Sequence, residues 1–179
     1  IDFVLCTHLH ADHVGWNTMW VDGTWMPTFD KARYLIGETE WNHWSAEGAT
    51  QARGENIMGD SVQPVFDAGL VDLVQTNHKI CDEVWLESTP GHTPGHVSVR
   101  ISSEGEDALI TGDCMHHPCQ MAVPDMCSNA DSDPEKARET RLALLEKYAD
   151  GPVLVIGTHF ASPTAGHIVR DGHTFRLAV

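Results

Sequence analysis

Four side chains able to hold a metal fall within six positions near the start of the chain, in His8-Leu9-His10-Ala11-Asp12-His13. They follow an apolar run, residues 1–6, that reads as a β-strand, so the cluster stands at a strand end. The same placement recurs downstream. His92 follows the run around Trp85, Asp113 follows the run around Leu109, and His159 follows the run around Val155. Strands whose ends meet at one sheet edge would gather these seven groups from distant parts of the sequence. Imidazoles and carboxylates are the ligand set that suits zinc, iron or manganese. Seven such groups exceed one tetrahedral ion and suit two ions sharing a bridge. A lone histidine is most often an ordinary surface or core residue. Four ligand types in six positions, with an acid among them, have no packing rationale.

The elements that must position these groups follow from periodicity. Residues 1–6 read as a short buried strand. Residues 14–30 carry Gly15, Gly23, Pro27 and much Trp and Met, a loop-like stretch with aromatic weight. A strand is expected over 32–36, stopped by Gly37, then a helix over 38–47 with Trp41 and Trp44 on one face. A second helix is expected within 60–68, followed by a strand over 71–75. Residues 83–87 form a strand running into Thr89-Pro90-Gly91-His92. In residues 97–102 Val97, Val99 and Ile101 alternate with Ser98, Arg100 and Ser102, the pattern of a half-buried strand. Residues 108–110 are a further strand. Asp131-Ser132-Asp133-Pro134-Glu135 signals a helix start, with a capping oxygen, an early proline and acid at the positive end. That helix runs to about Ala149 and buries Leu142 and Leu145. Residues 153–156 read as a fully buried strand, and 168–170 with 174–177, joined through Asp171-Gly172, as a hairpin. Strands alternating with helices imply an α/β or α+β fold in one domain over 1–179, without internal repeats.

Composition narrows the function. Asp and Glu number 26 against 11 Lys and Arg, a net charge of −15 with histidine neutral. Nucleic acid or an anionic membrane surface as main partner would need a basic face. No run of about 18 or more uncharged apolar residues exists to span a bilayer. Five cysteines without regular spacing make a poor disulfide framework and favour a reducing, cytoplasmic setting. The chain opens on Ile1 inside a strand, so a front end that could hold a secretion signal is expected to be missing.

The joint pattern resembles the metallo-β-lactamase superfamily. Thr7-His8-Leu9-His10-Ala11-Asp12-His13-Val14-Gly15 looks like its signature, as do Thr89-Pro90-Gly91-His92-Thr93-Pro94-Gly95-His96, Thr111-Gly112-Asp113 and Gly157-Thr158-His159, in the superfamily's order. The resemblance covers essentially the whole chain. It implies an αβ/βα sandwich whose metal site lies at one edge, with the N-terminal part of the first sheet missing here. It further implies that His8, His10 and His92 hold one ion, that Asp12, His13 and His159 hold a second, and that Asp113 bridges them. His96 matches a motif position that is not a ligand, which implies packing or support of the ligands. The implied cofactors are two Zn2+, with Mn, Fe or Co as other divalent choices. Two such ions can lower the pKa of a shared water and supply hydroxide near neutral pH, so Asp12 and Asp113 become catalytic as well as structural.

Within the superfamily, Asp113 disfavours β-lactam cleavage as more than a side reaction, because many β-lactamases lack this bridge. The chain shows neither the length nor the basic face of the nuclease branch. Only 20 residues follow His159, too few for the helical region of glyoxalase II relatives. Gly112-Asp113-Cys114-Met115-His116-His117-Pro118 and Asp131-Ser132-Asp133-Pro134-Glu135-Lys136-Ala137 look most like the methyl-parathion-hydrolase-like and lactonase branch. The expected function is therefore metal-dependent hydrolysis of a small ester-type substrate, such as a lactone or an organophosphate ester. The rival reading is a mononuclear iron oxygenase of the persulfide dioxygenase type.

Other residues carry weaker signals. His116 and His117 could reach the pocket as a proton donor to the leaving group, or serve the loop. Cys114, Cys119 and Cys127 lack paired spacing and read as small buried thiols. Trp16, Trp20, Trp25, Trp41 and Trp44 could wall an apolar pocket, pack a core or form a contact in a homodimer. His167 and His173 read as surface or hairpin residues.

Overall fold

The structure is a computed structural model that describes residues 1–46 and 56–179; the expected end of the helix over 38–47, at Glu47, lies outside the described residues. Two units are each compact in themselves, Ile1–Gln75 and Thr76–Val179. The mixed strand and helix content is that expected from the sequence. Among the described residues no helix is long and apolar enough to cross a membrane.

The first unit is built on a parallel sheet of β1 (Phe3–Leu5), β4 (Arg33–Gly37) and β5 (Val71–Val74), in the order β1-β4-β5. The central strand β4 buries Tyr34, Leu35 and Ile36 in succession, as a parallel strand covered on both faces should. The edge strand β1 is not fully buried as its composition suggests, because Phe3 is exposed and only Val4 and Leu5 are half-buried. Two short helices, α2 (Glu38–Trp44) and α3 (Gln63–Asp67), lie between β4 and β5, the latter preceded by a π-helical turn at Met58–Val62. Cys6, Leu9, Val14, Ile36, Ile57 and Val62 form the core of the unit, with Trp41 and Trp44 against it.

Residues 14–30 are more ordered than a loop reading allows. They hold α1 (Ala11–Val14, which ends inside the stretch), a 3-10 turn at Gly15–Asn17, and a hairpin of β2 (Thr18–Val21) and β3 (Thr24–Pro27) that pairs Trp20 with Trp25. The turn residues Asp22 and Gly23 both have positive φ, 46° and 86°, the geometry an Asp-Gly pair adopts most readily in a two-residue hairpin.

The second unit carries a six-stranded sheet in the order β11-β10-β9-β8-β7-β6. Its strands are β6 (Val84–Ser88), β7 (Val97–Ser103), β8 (Glu106–Ile110), β9 (Leu154–Ile156), β10 (Ala165–Asp171) and β11 (Thr174–Ala178). All neighbours are antiparallel except β8 and β9, whose parallel pairing requires a crossover. That crossover contains α4 (Cys119–Ala122) and α5 (Pro134–Tyr148). The Asp133 carboxylate caps α5 by accepting the Lys136 N–H, and Pro134 occupies the first turn.

Three local expectations are corrected here. In α5 the buried side is Ala137, Arg141, Leu144, Leu145 and Tyr148, which recur at helical spacing, while Leu142 is only half-buried. In β7 the polar face is less solvated than the alternation suggests: Arg100 and Ser102 are half-buried, and Ser98 is buried with its hydroxyl donating to the Thr111 carbonyl at 2.9 Å. In β9 only Val155 is fully buried, because Leu154 points to solvent. The core of the unit joins Leu109, Val155, Ile168 and Phe175 of the sheet to Leu144, Leu145 and Tyr148 of α5.

Candidate metal centre

In the first unit, β1 ends and the chain turns into α1, whose backbone carbonyl at His10 accepts from His13 N and Val14 N at 3.1 Å each. This tight turn sets the imidazoles side by side. His8 Nε2 lies 3.1 Å from His10 Nδ1, and the rings of His8 and His13 are 4.1 Å apart between centroids. His8 Nδ1 is 3.1 Å from the Thr7 hydroxyl, which fixes the ring. His13 Nε2 is 3.5 Å from Asp12 Oδ2. His8 is fully buried while Asp12 is exposed, so the motif runs from the core to the surface. Beneath it the buried Glu40 accepts the Leu9 N–H on Oε1 at 3.2 Å and the Trp44 indole N–H at 3.4 Å. No sequence signal marks Glu40, which sits on α2 far from the motif.

In the second unit the loop between β6 and β7 carries His92. Gly91 has φ of +133°, and a Cβ there would lie 2.2 Å from the Ala137 backbone nitrogen, so only glycine lets this loop press on α5. The loop is tied down by Ser132 N donating to the His92 carbonyl (2.9 Å), Asp133 N to the Gly91 carbonyl (3.0 Å) and the Thr140 hydroxyl to the Pro90 carbonyl (2.6 Å).

Asp113 follows β8 in a 3-10 turn, Gly112–Cys114, and is buried. Its backbone N–H donates to His96 Nε2 at 2.8 Å. The proton of that ring therefore sits on Nδ1, which donates to the Thr89 carbonyl at 2.9 Å. The expected supporting role of His96 thus takes a definite form: it anchors the backbone of the aspartate.

Three imidazoles converge on the Asp113 carboxylate. His92 Nε2 is 3.3 Å and His116 Nε2 3.2 Å from Oδ2, and His159 Nε2 is 3.2 Å from Oδ1. The ligand atoms of His92, Asp113 and His116 all lie within 4.8 Å of one another. Imidazole nitrogens crowded around one carboxylate are the donors a zinc-like ion takes, and within the second unit His92, Asp113 and His116 fit such an ion. His116 is held by Gln120, whose Oε1 accepts the His116 N–H at 2.7 Å. His117 instead turns outward and accepts the Cys119 N–H on Nδ1 at 3.1 Å, a loop role.

Asp131 opens the helix-start stretch, whose capping oxygen comes from Asp133. Asp131 Oδ1 is 2.8 Å from His92 Nδ1, with both side chains out of solvent. Burial opposes the charge on His92, but hydrogen bonds to Asp113 and Asp131 outweigh it and push the imidazole up to about 9. Burial likewise works against the Asp131 carboxylate, and the His92 ring and the Ser128 N–H overcome it and hold it below its ordinary value.

The remaining candidates scatter. Cys114 is buried, but Cys119 is exposed and Cys127 half-buried, which corrects the reading of all three as buried thiols. Trp44 borders the first cluster, its ring centroid 5.6 Å from that of His10. Trp41 stacks on Phe66 at 4.3 Å, a packing role, whereas Trp16 and Trp20 are exposed. His167 and His173 are exposed on the final hairpin, as expected.

Known proteins resemble this chain in sequence and fold. The probable metallo-hydrolase YybB of Bacillus subtilis (strain 168) is 28% identical over 140 residues, covering 72% of this chain and 56% of its own length. The N-acyl homoserine lactonase AiiA of Bacillus thuringiensis subsp. kurstaki is 25% identical over 108 residues, covering 60% of this chain and 36% of its own. The chain thus spans about half the length, or less, of these curated relatives. A crystal structure of the hydrolase AbOPH, of the beta lactamase superfamily, superposes with a TM-score of 0.85 at 26% identity, over 99% of this chain and 63% of that one. The family model of the metallo-beta-lactamase superfamily matches residues 1–169, and the chain belongs to that superfamily.

Proposed function

We propose that this chain carries the metal centre of a hydrolase that cleaves a small ester-type substrate, a lactone or an organophosphate ester. The observation that carries the reading is the convergence of His92, His116 and His159 on the single carboxylate of Asp113. A relative that hydrolyses N-acyl homoserine lactones supports the lactone choice.

We assign His8, His10 and His92 to one Zn2+, Asp12, His13 and His159 to a second, and Asp113 to both, within one functional domain. When bound, such ions supply Lewis-acid polarisation of the substrate oxygen and an acidified water. The chain's own residues do the rest. Asp113 keeps its charge at a fixed point because His96 holds its backbone. Asp12 supplies a second carboxylate beside His13. His116 borders Asp113 and is assigned the proton that the departing oxygen takes up, through Nε2. The buried Glu40 steadies the Leu9 backbone between the first two ligand histidines.

A panel of N-acyl homoserine lactones, aryl phosphotriesters and aryl esters, incubated with the zinc-loaded chain, tests the reading. Turnover of one class, lost on chelation and restored by zinc, is the expected result. Metal-dependent oxygen uptake with no ester cleavage would instead mark an iron oxygenase.

A further inference from the structure

Arg141 is a buried cation that no step above uses. It lies on the inner side of α5 with no exposure at all. Its guanidinium donates from Nε to the Cys114 carbonyl at 3.1 Å, and from Nη1 to the carbonyls of Pro124 (2.6 Å) and Met126 (2.9 Å). Nη2 makes no hydrogen bond among the described residues and lies 4.0 Å from Asp131 Oδ2. Asp131 in turn accepts the Ser128 N–H on Oδ2 at 2.8 Å and faces His92 Nδ1 through Oδ1 at 2.8 Å.

We propose that Arg141 is a positioning residue for His92, acting through Asp131. The inference rests on the reading above that His92 holds a metal through Nε2. A ligand imidazole must be neutral, with its remaining proton on Nδ1. Asp131 then receives that proton's hydrogen bond without receiving a compensating charge. An ionised carboxylate fully out of water needs a cation, and Arg141 is the cation that faces it. The same guanidinium ties down the segment on either side of His116, from Cys114 to Met126. One side chain therefore fixes the orientation of His92 and the path of the chain that leaves Asp113. A methionine of similar length would fill the space but supply neither the charge nor the fork.

The test uses the whole chain and Zn2+ as probe, with Arg141→Met, Arg141→Lys, Asp131→Asn and the two double variants. Zinc affinity is measured by chelator competition, and the downfield His92 Nδ1–H proton is followed by NMR without metal. The expected order of affinity is wild type, then Lys, then Met, with Met weaker by about 10–100-fold, the usual cost of losing support behind a ligand. The Nδ1–H resonance should shift in Arg141→Met and be partly restored in Arg141→Lys. Once Asp131 is Asn, removing Arg141 should cost little more. An unchanged resonance, or losses that multiply in the double variants, would show that Arg141 only braces the backbone. Should Arg141→Met not fold, the Arg141→Lys and Asp131→Asn pair decides by the same non-additivity. If the wild-type chain binds no zinc, the metal reading fails while the resonance still tests the link between Arg141 and His92.

Discussion

His96 and Asp113 are joined through the backbone of one and the ring of the other: the Asp113 N–H donates to His96 Nε2 at 2.8 Å, both residues buried. A histidine four positions from a ligand candidate thus serves the aspartate and leaves its own Nδ1 for the Thr89 carbonyl. Replacing His96 by Ala would strand a buried N–H, at a cost of about 1–3 kcal/mol. We expect a lower melting temperature, and zinc affinity weaker by about tenfold or more. Chelator competition and a thermal melt check this; an unchanged affinity would deny His96 its anchoring role.

Asp113→Asn should abolish most hydrolysis, by more than about a hundredfold, with the fold retained. An amide of the same shape keeps the packing but loses the charge on which three imidazoles converge. Initial rates on the best substrate of the panel, beside circular dichroism, separate a lost charge from a lost fold. Turnover at the wild-type rate would contradict the assignment of Asp113 to both ions.

Thiol labelling should split the cysteines in two. Burial pushes the Cys6 thiol up to about 11, against a weaker opposing hydrogen bond from Asn17, and Cys114 to about 12. Both stay protonated and shielded at pH 8, where the thiolate is the reactive form. Exposed Cys81 and Cys119 should react quickly with a chromogenic disulfide, half-buried Cys127 more slowly, and Cys6 and Cys114 only on unfolding. Rapid labelling of all five in the folded chain is the contrary result.

Gly91→Ala should destabilise the chain by about 1–3 kcal/mol or more, since a side chain at φ of +133° is strained and its Cβ would strike the α5 backbone. Denaturant melts measure the loss. Because His92 follows directly, zinc affinity should fall as well, whereas Gly105→Ala, in an open turn between β7 and β8, should leave affinity unchanged.

Much of this was legible because ligand residues follow apolar strands, a pattern that needs no tertiary knowledge. The strands ending near His8, His92, Asp113 and His159 lie within a few residues of their expected places. What escaped depends on contacts between distant segments. Asp131 reads only as part of a helix-start stretch, where Asx residues are common, and only the fold reveals that its carboxylate faces His92 39 positions away. Glu40 and Arg141 sit on ordinary helical positions, and nothing local distinguishes a buried charge from a solvated one. The hairpin at Asp22-Gly23 is different: Gly15, Gly23 and Pro27 read as a loop, while two of the strand residues that pair there are the tryptophans Trp20 and Trp25.

The metal content of the chain, purified without chelators and then titrated with zinc, tests the central claim most directly. We expect about two zinc ions per chain at saturation, as a dinuclear hydrolytic site requires, with His159→Ala lowering occupancy of one ion more than the other. A single bound iron, or no metal at all in a folded chain, would contradict the dinuclear hydrolase.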